Sequence, residues 1–283
     1  MIKPLITGAD GLLGRDITRI LSGKHPQTIK ATIDFLDISD YDRVAIEFER
    51  LLPTAVINCA ATTDVDWCED HPDEAFRVNV EGAFNIARAC KHIAARLIHI
   101  STDYVFDGMR NLPYKEDDTP SPISVYGKTK LEGERAVFEE NPESVVVRTS
   151  CLFGRGGRNF QSTVASRCAQ GEMVRAFVDS FCSPTSTGDC ARAIDVLLDI
   201  DFTGILHIVN SGICSRFQFA ETALKMKEIS GSYLIPVEMR SVGLKALRPR
   251  YSALDNSLFA RITGLKMRRW DEALRDFLIS NVE

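Results

Sequence analysis

Short apolar runs alternate with longer stretches of helical spacing through the first half of this chain. Ile2 to Thr7, Thr28 to Ile33, Ala55 to Asn58, Leu97 to Ile100 and Val145 to Arg148 are too short for helices and read as strands. Between them, Leu12, Leu13, Ile17, Ile20 and Leu21 recur at helical spacing. Ser39 is placed to cap a helix running to about Arg50. Phe76, Val80, Phe84 and Ala87 mark a single long helix from Pro72 to Ile93, and another helix follows the Pro120-Ser121-Pro122 loop. After Thr149 the rhythm loosens. A strand is expected at Val174 to Val178, a helix from Thr187 to about Leu198, and a strand at Ile205 to Val209. A helix capped by Ser215 should run to about Ile229, and a last one from Trp270 to Leu278. Strand and helix in alternation predict an α/β fold with a doubly wound parallel sheet, its site at the C-terminal ends of the strands.

Composition narrows the class. Of 283 residues, 45% are hydrophobic and 26% charged, as in an ordinary globular protein. The 34 basic and 39 acidic residues leave a net charge of −5, and no Lys/Arg block offers a surface for nucleic acid or membrane. No apolar run approaches the roughly 18 residues that span a bilayer. The first residues enter a strand-like segment directly, without a signal-type pattern, so a cytoplasmic setting is expected. The eight cysteines are scattered without a Cys-x-x-Cys pair, which favours reduced, mostly buried thiols over a disulfide framework.

Candidate chemistry gathers at the strand ends. Gly8, Gly11 and Gly14 stand between the first strand and its helix, with Leu12 and Leu13 opening that helix. Glycines let backbone approach a pyrophosphate, and a helix N-terminus offers free N–H groups and the positive end of its dipole. An acidic residue about 20 positions beyond such a turn suits ribose hydroxyls; Asp34 fits by position, and Asp37 with Ile38 resembles a Leu-Asp-Ile pattern that lies against adenine in relatives of such a fold. No arginine fills the short link after the second strand, which leans towards NADH over NADPH. Cys59, Ala60, Ala61, Thr62 and Thr63 follow the third strand and are small enough to let a cofactor lie close. Ser101 and Thr102 end the fourth; His99, inside an apolar run, reads as a core histidine rather than a base. Tyr126 and Lys130, four residues apart, share one face of a helix. Free tyrosine titrates near 10, and an ammonium one turn away is expected to lower that value and suit the pair to general acid–base chemistry. Residues 1–150 are thus expected to form a Rossmann-like NAD(P)-binding domain. Residues 151–283 would form a smaller substrate lobe, some of whose segments return to the first domain.

These motifs resemble those of the extended short-chain dehydrogenase/reductases, and more narrowly the dTDP-4-dehydrorhamnose reductase family, across nearly the full length. The resemblance rests on Gly8 to Gly14, Ser101 to Gly108, Tyr126 to Glu134, Arg148-Thr149-Ser150, Asn159-Phe160, Ser183-Pro184-Thr185 and Arg248 to Ser252. It implies hydride transfer from NADH or NADPH to C4 of a nucleotide-linked 4-keto sugar, with Tyr126 as proton donor. Lys130 would hold the nicotinamide ribose and the phenolate, and Thr102 the reacting oxygen. The resemblance also implies that Asp103 and Val105 contact the sugar, and that Asn159, Phe160 and Arg248 hold the nucleotide diphosphate. Two positions depart from the family pattern. Cys151 stands where a tryptophan usually packs on the sugar, which leaves sugar identity open. Arg15 stands where some members place an acidic residue of a metal-linked dimer contact, so neither that metal nor that dimer is expected, and a homodimer of another kind stays open. The alternatives are another nucleotide-sugar ketoreductase or epimerase on the same scaffold, or a non-catalytic partner resembling the regulatory β subunit of methionine adenosyltransferase.

Overall fold

Alternate side chains of a strand point to opposite faces, and in the computed structural model both faces are covered. The structure describes residues 2–156 and 160–279. Five strands, β1 (Pro4–Thr7), β2 (Ile29–Ala31), β3 (Ala55–Asn58), β4 (Arg96–Thr102) and β5 (Val145–Thr149), join with Gly204–His207 in one parallel sheet. The order is Gly204–His207, β5, β4, β3, β1, β2. Ile6, Ile57, Ile98, Val145 and Val147 bury against helices Leu12–Lys24 and Thr187–Leu197. Leu5, Val56, Leu97 and Val146 bury on the other face against helices Tyr41–Leu51, Gly82–His92 and Val125–Glu140. This two-sided burial explains why the strands read as nearly unbroken apolar runs.

The second half of the chain serves both layers. Gly204–His207 pairs with β5 at the sheet edge, whereas Val174–Phe177 and Leu234–Val237 form a separate two-stranded parallel sheet. Helices Phe160–Ala169 and Arg216–Met226 pack on that small sheet. Helix Trp270–Ile279 closes an aromatic cluster with Phe153 and Phe219.

Three local expectations change. Asp40, not Ser39, caps helix Tyr41–Leu51, accepting from the Arg43 N–H at 3.1 Å, because Ser39 is already engaged by Asp37. A short helix, Val65–Asp70, capped by Asp64, stands where no element was expected. The single helix expected from Pro72 to Ile93 is instead Pro72–Phe76, a π-helical turn Arg77–Glu81, and Gly82–His92. Helical spacing does not reveal the wide turn, whose cause is tertiary. Buried Asn79, within it, accepts from the Thr62 N–H at 2.9 Å and donates to the Thr62 carbonyl and to Thr129 Oγ1, both at 3.1 Å. Gly133 meets this turn so closely that a Cβ there would lie 2.2 Å from the Asn79 oxygen. π-turns of this kind gather at functional sites.

Under the sheet's edge, Arg148 of β5 and Glu134 of helix Val125–Glu140 form a two-pronged ion pair at 2.9 and 2.6 Å. Their side chains are 1% and 2% exposed. Ser101 donates to the same carboxylate at 2.5 Å. A buried charge left without its partner costs about 3–5 kcal/mol. Glu134→Gln should therefore lower the urea unfolding free energy by about that amount; a loss under about 1 kcal/mol, the scale of an exposed pair, would contradict the assignment.

Candidate active site

β1 ends in a turn that only glycine fits. Gly8 takes φ +59°, and a Cβ on it would lie 2.8 Å from the Ala60 nitrogen. A Cβ on Gly14 would lie 2.1 Å from the Gly8 oxygen. Gly11 precedes helix Leu12–Lys24 without a capping side chain. The glycine turn, Leu12 and Leu13 thus present backbone and a helix N-terminus to a cavity of about 440 Å³ along the strand ends. A cradle that any side chain would fill, beside a positive helix end, fits the pyrophosphate of a dinucleotide.

The opposite wall carries the titratable groups. Ser124 caps helix Val125–Glu140, accepting from the Gly127 N–H at 3.2 Å, so Tyr126 enters the helix in its first turn with Lys130 one turn later. Both line the cavity together with Ser101, Thr102 and Asp103 from the end of β4, Ala61 and Thr63 after β3, and Cys151 after β5. The Thr102 hydroxyl shares this wall with the Tyr126 phenol. Burial pushes the Tyr126 phenol well up, so the expectation of a lowered value is corrected. Lys130 does not oppose that rise, because its ammonium is directed elsewhere: it donates to the Ile100 carbonyl at 2.7 Å and lies 3.5 Å from His99 Nε2. Burial brings Lys130 itself down to about 8. His99 is a core residue, as read, yet its other ring nitrogen lies 3.1 Å from Asn58 Nδ2, which makes it the link between Lys130 and β3. Burial raises the Asp103 carboxyl above the usual range, although Ser150, Ser252 and Thr102 donate to it.

The other expected residues lie outside this cavity's walls. Ala60 N–H points to Thr7 Oγ1 at 3.4 Å, and Thr62 is tied to Asn79. Ile38 is buried in the core against Gly82. Asp34 is exposed. Asp37 accepts from the Ser39 N–H and Oγ at 2.9 and 2.7 Å. Burial works against its charge, but Ser39 and Arg77 together hold its carboxyl below the usual range. Arg77, brought in by the π-helical turn, lies 3.8 Å from Asp37 and donates to Ser39 at 2.5 Å. The absence of an arginine from the link after β2 was therefore an incomplete guide: the guanidinium arrives from 40 residues further along the chain. Val105 does not reach the cavity; its side chain is fully buried among Phe106, Tyr114 and Leu254. Arg248 pairs with Asp66 at 2.7 and 3.1 Å and lines a neighbouring cavity of about 560 Å³ with Glu238, Arg240 and Arg250. Asn159 falls outside the described residues, and Phe160 is described only as the first residue of its helix.

Sequence reading left several cavity residues unassigned, Tyr104, Val65, Ser150 and Arg216 among them. Tyr104 packs edge-on to Tyr126, with ring centres 5.6 Å apart, and Val65 comes from the unexpected short helix. Ser150 and Arg216 complete the wall beside Cys151. Arg216 directly follows the Ser215 cap, and nothing in its spacing indicates that it turns inward.

A parallel sheet with a glycine turn at its first strand, and with a tyrosine and lysine at the strand ends, defines a short-chain dehydrogenase/reductase of the extended type. The chain belongs to the family described as the RmlD substrate binding domain, whose model matches residues 2–282. It is 38% identical over 278 residues to the spore coat polysaccharide biosynthesis protein SpsK of Bacillus subtilis, covering 98% of this chain and 97% of that one. It is 37% identical to a dTDP-4-dehydrorhamnose reductase of Mycolicibacterium smegmatis, over 96% and 84% of the two chains. The crystal structure of dTDP-4-dehydrorhamnose reductase from Bacillus anthracis in complex with NADP superimposes with a TM-score of 0.95 at 34% identity, over 99% and 100% of the chains.

The lowered Lys130 value has a measurable consequence. Folded Lys130 loses its proton near pH 8, whereas the unfolded side chain holds it to 10.5. Between these values the unfolded chain binds more protons, so raising the pH favours the fold. The unfolding free energy of wild type relative to Lys130→Met should rise by roughly 3 kcal/mol across that window. A flat difference would show that Lys130 titrates normally.

Proposed function

We propose that this protein reduces the C4 keto group of a dTDP-linked 6-deoxy sugar with NADH or NADPH, converting dTDP-4-dehydro-L-rhamnose to dTDP-L-rhamnose. The observation that carries this reading is a protonated Tyr126 that shares its cavity with Thr102, Lys130 and a glycine cradle fitted to a dinucleotide. When bound, the reduced nicotinamide supplies the hydride. Gly8, Gly11, Leu12, Leu13 and Gly14 hold the pyrophosphate, while Asp34 and Asp37 face the adenosine. Ala60, Ala61, Thr62, Thr63 and Ser101 shape the floor. Thr102 and Tyr126 hold the carbonyl oxygen from one side, and Tyr126 gives it a proton. Lys130 answers the phenolate that results, and its burial leaves it ready to pass a proton on near neutral pH. Asp103 and Cys151 face the sugar. Arg248, Asn159 and Phe160 serve the nucleotide diphosphate, with the cavity around Arg248 as its place and residues 151–283 as the substrate lobe. A cytoplasmic setting, where eight unpaired thiols persist, is part of the same reading.

NAD(P)H oxidation against dTDP- and UDP-linked 4-keto sugars tests it. Tyr126→Phe should retain cofactor binding and lose roughly 10²–10⁴-fold in turnover. Near-normal turnover would exclude Tyr126 as the acid, and wild type that oxidises no cofactor with any keto sugar would favour the epimerase or the non-catalytic partner.

The cofactor expectation follows from Arg77. Its guanidinium offsets the Asp37 carboxylate, which alone would repel a 2′-phosphate. Arg77→Ala should therefore weaken NADPH binding by about tenfold, or 1.4 kcal/mol, with little change for NADH, as fluorescence titration would show. Equal losses for both cofactors would place Arg77 away from the phosphate.

A further inference from the structure

The wall beside Cys151 is built differently from an aromatic one. Cys151 has φ +44°, a left-handed conformation that side-chain-bearing residues rarely adopt. Strained backbone of this kind concentrates at functional sites. Here it places the residue on the cavity wall directly after β5. Neither Phe153 nor Phe181 fills the space: Phe153 is fully buried against Phe219 and Phe277, and Phe181 lies against Tyr251. Arg216 stands there instead. It is the first residue of helix Arg216–Met226, and its Nη1 donates to Cys151 Sγ at 2.6 Å. A small side chain at position 151 leaves room for that guanidinium; a bulky ring would not.

The charges around Arg216 are internally balanced. Its positive charge favours the ionised forms of Asp103 and of the Cys151 thiol, although burial still raises the Asp103 carboxyl on balance. Those groups in turn hold Arg216 well above its usual value, so it stays charged. The same cavity therefore offers a cationic hydrogen-bond fork beside a carboxylate acceptor, Asp103, whose orientation Ser150 fixes at 2.8 Å. An apolar sugar face gains nothing from such a wall. A carboxylate-bearing sugar would meet Asp103 and the Cys151 sulfur as well as the arginine. A neutral sugar hydroxyl suits both partners, donating to one and accepting from the other.

We propose that Arg216 is the specificity-determining residue of the sugar subsite, selecting 4-keto sugars that keep a ring hydroxyl at the Cys151 wall over their deoxy counterparts. The proposal rests on the keto-sugar reading of this cavity. A hydroxyl there forms a charge-assisted hydrogen bond with the guanidinium, whereas a methylene strips water from it and returns nothing. Sites built to bond a substrate hydroxyl reject the analogue lacking it by up to about 10⁴–10⁵-fold.

The test compares kcat/KM of the purified full-length protein for dTDP-4-keto-6-deoxyhexose and for its 2-deoxy and 3-deoxy analogues. Wild type should prefer the hydroxylated sugar to one of the analogues by at least about 100-fold, well within that range. Arg216→Met should reduce the preference to a few-fold, mainly by losing activity on the hydroxylated sugar, and Arg216→Lys should restore part of it. Cys151→Trp, which would displace the guanidinium without removing it, should also erase the preference and serves if Arg216→Met does not fold. Cofactor affinity, read by fluorescence, should be the same in wild type and variants. A preference unchanged in the variants, or absent from wild type that turns both sugars over, overturns the role of Arg216 and leaves the reductase reading intact. Wild type that reduces no keto sugar overturns both.

Discussion

The Glu134–Arg148 ion pair fixes the geometry on which this site depends. Glu134 lies one turn beyond Lys130 on the helix that carries Tyr126, and Arg148 lies on the strand beside Thr102. The two-pronged geometry sets both the distance and the rotation of that helix against the sheet. Ser101, donating to the same carboxylate, draws the end of β4 into the same arrangement. A charge pair this deeply buried contributes less to stability than an apolar replacement could. Its value lies in orientation: it brings a tyrosine on a helix and a threonine on a strand to one cavity wall.

A second constraint runs through Asn79. The π-helical turn projects this side chain between the loop after β3 and the helix of Tyr126, bonding both. The same turn delivers Arg77 to Asp37. One irregularity in one helix thus shapes both the loop after β3 and the charge beside Asp37. The turn packs so closely on Gly133 that a Cβ there would lie 2.2 Å from the Asn79 oxygen.

Burial, more than pairing, sets the proton affinities in the cavity. Tyr126 is raised and Lys130 lowered, each towards its neutral form, because the strand ends and Tyr104 exclude water from both. A neutral phenol is the form required of a proton donor in a reduction. The phenolate it becomes would meet an ammonium already close to losing its charge. Tyr126 is thus held as a phenol and is not acidified in advance.

The sequence by itself determined the sheet, the glycine cradle and the Tyr126–Lys130 pair, because each is a local pattern. Strands covered on both faces need apolar runs, a turn touching a backbone neighbour needs glycine, and two residues four apart share a helix face whatever surrounds them. Thirteen expected site residues do meet in one cavity, although Asp103 and Cys151 were expected from the family resemblance and not from local pattern. Tertiary structure decided the rest. Arg77, Arg216 and Asn79 act through side chains that reach partners 38, 65 and 50 residues away, and no spacing rule encodes such reach. Val105, read as a sugar contact, turned into the core because its neighbours Phe106 and Tyr114 enclose it. The raised Tyr126 value was equally hidden: it depends on how much water the assembled fold excludes, which only the folded chain fixes.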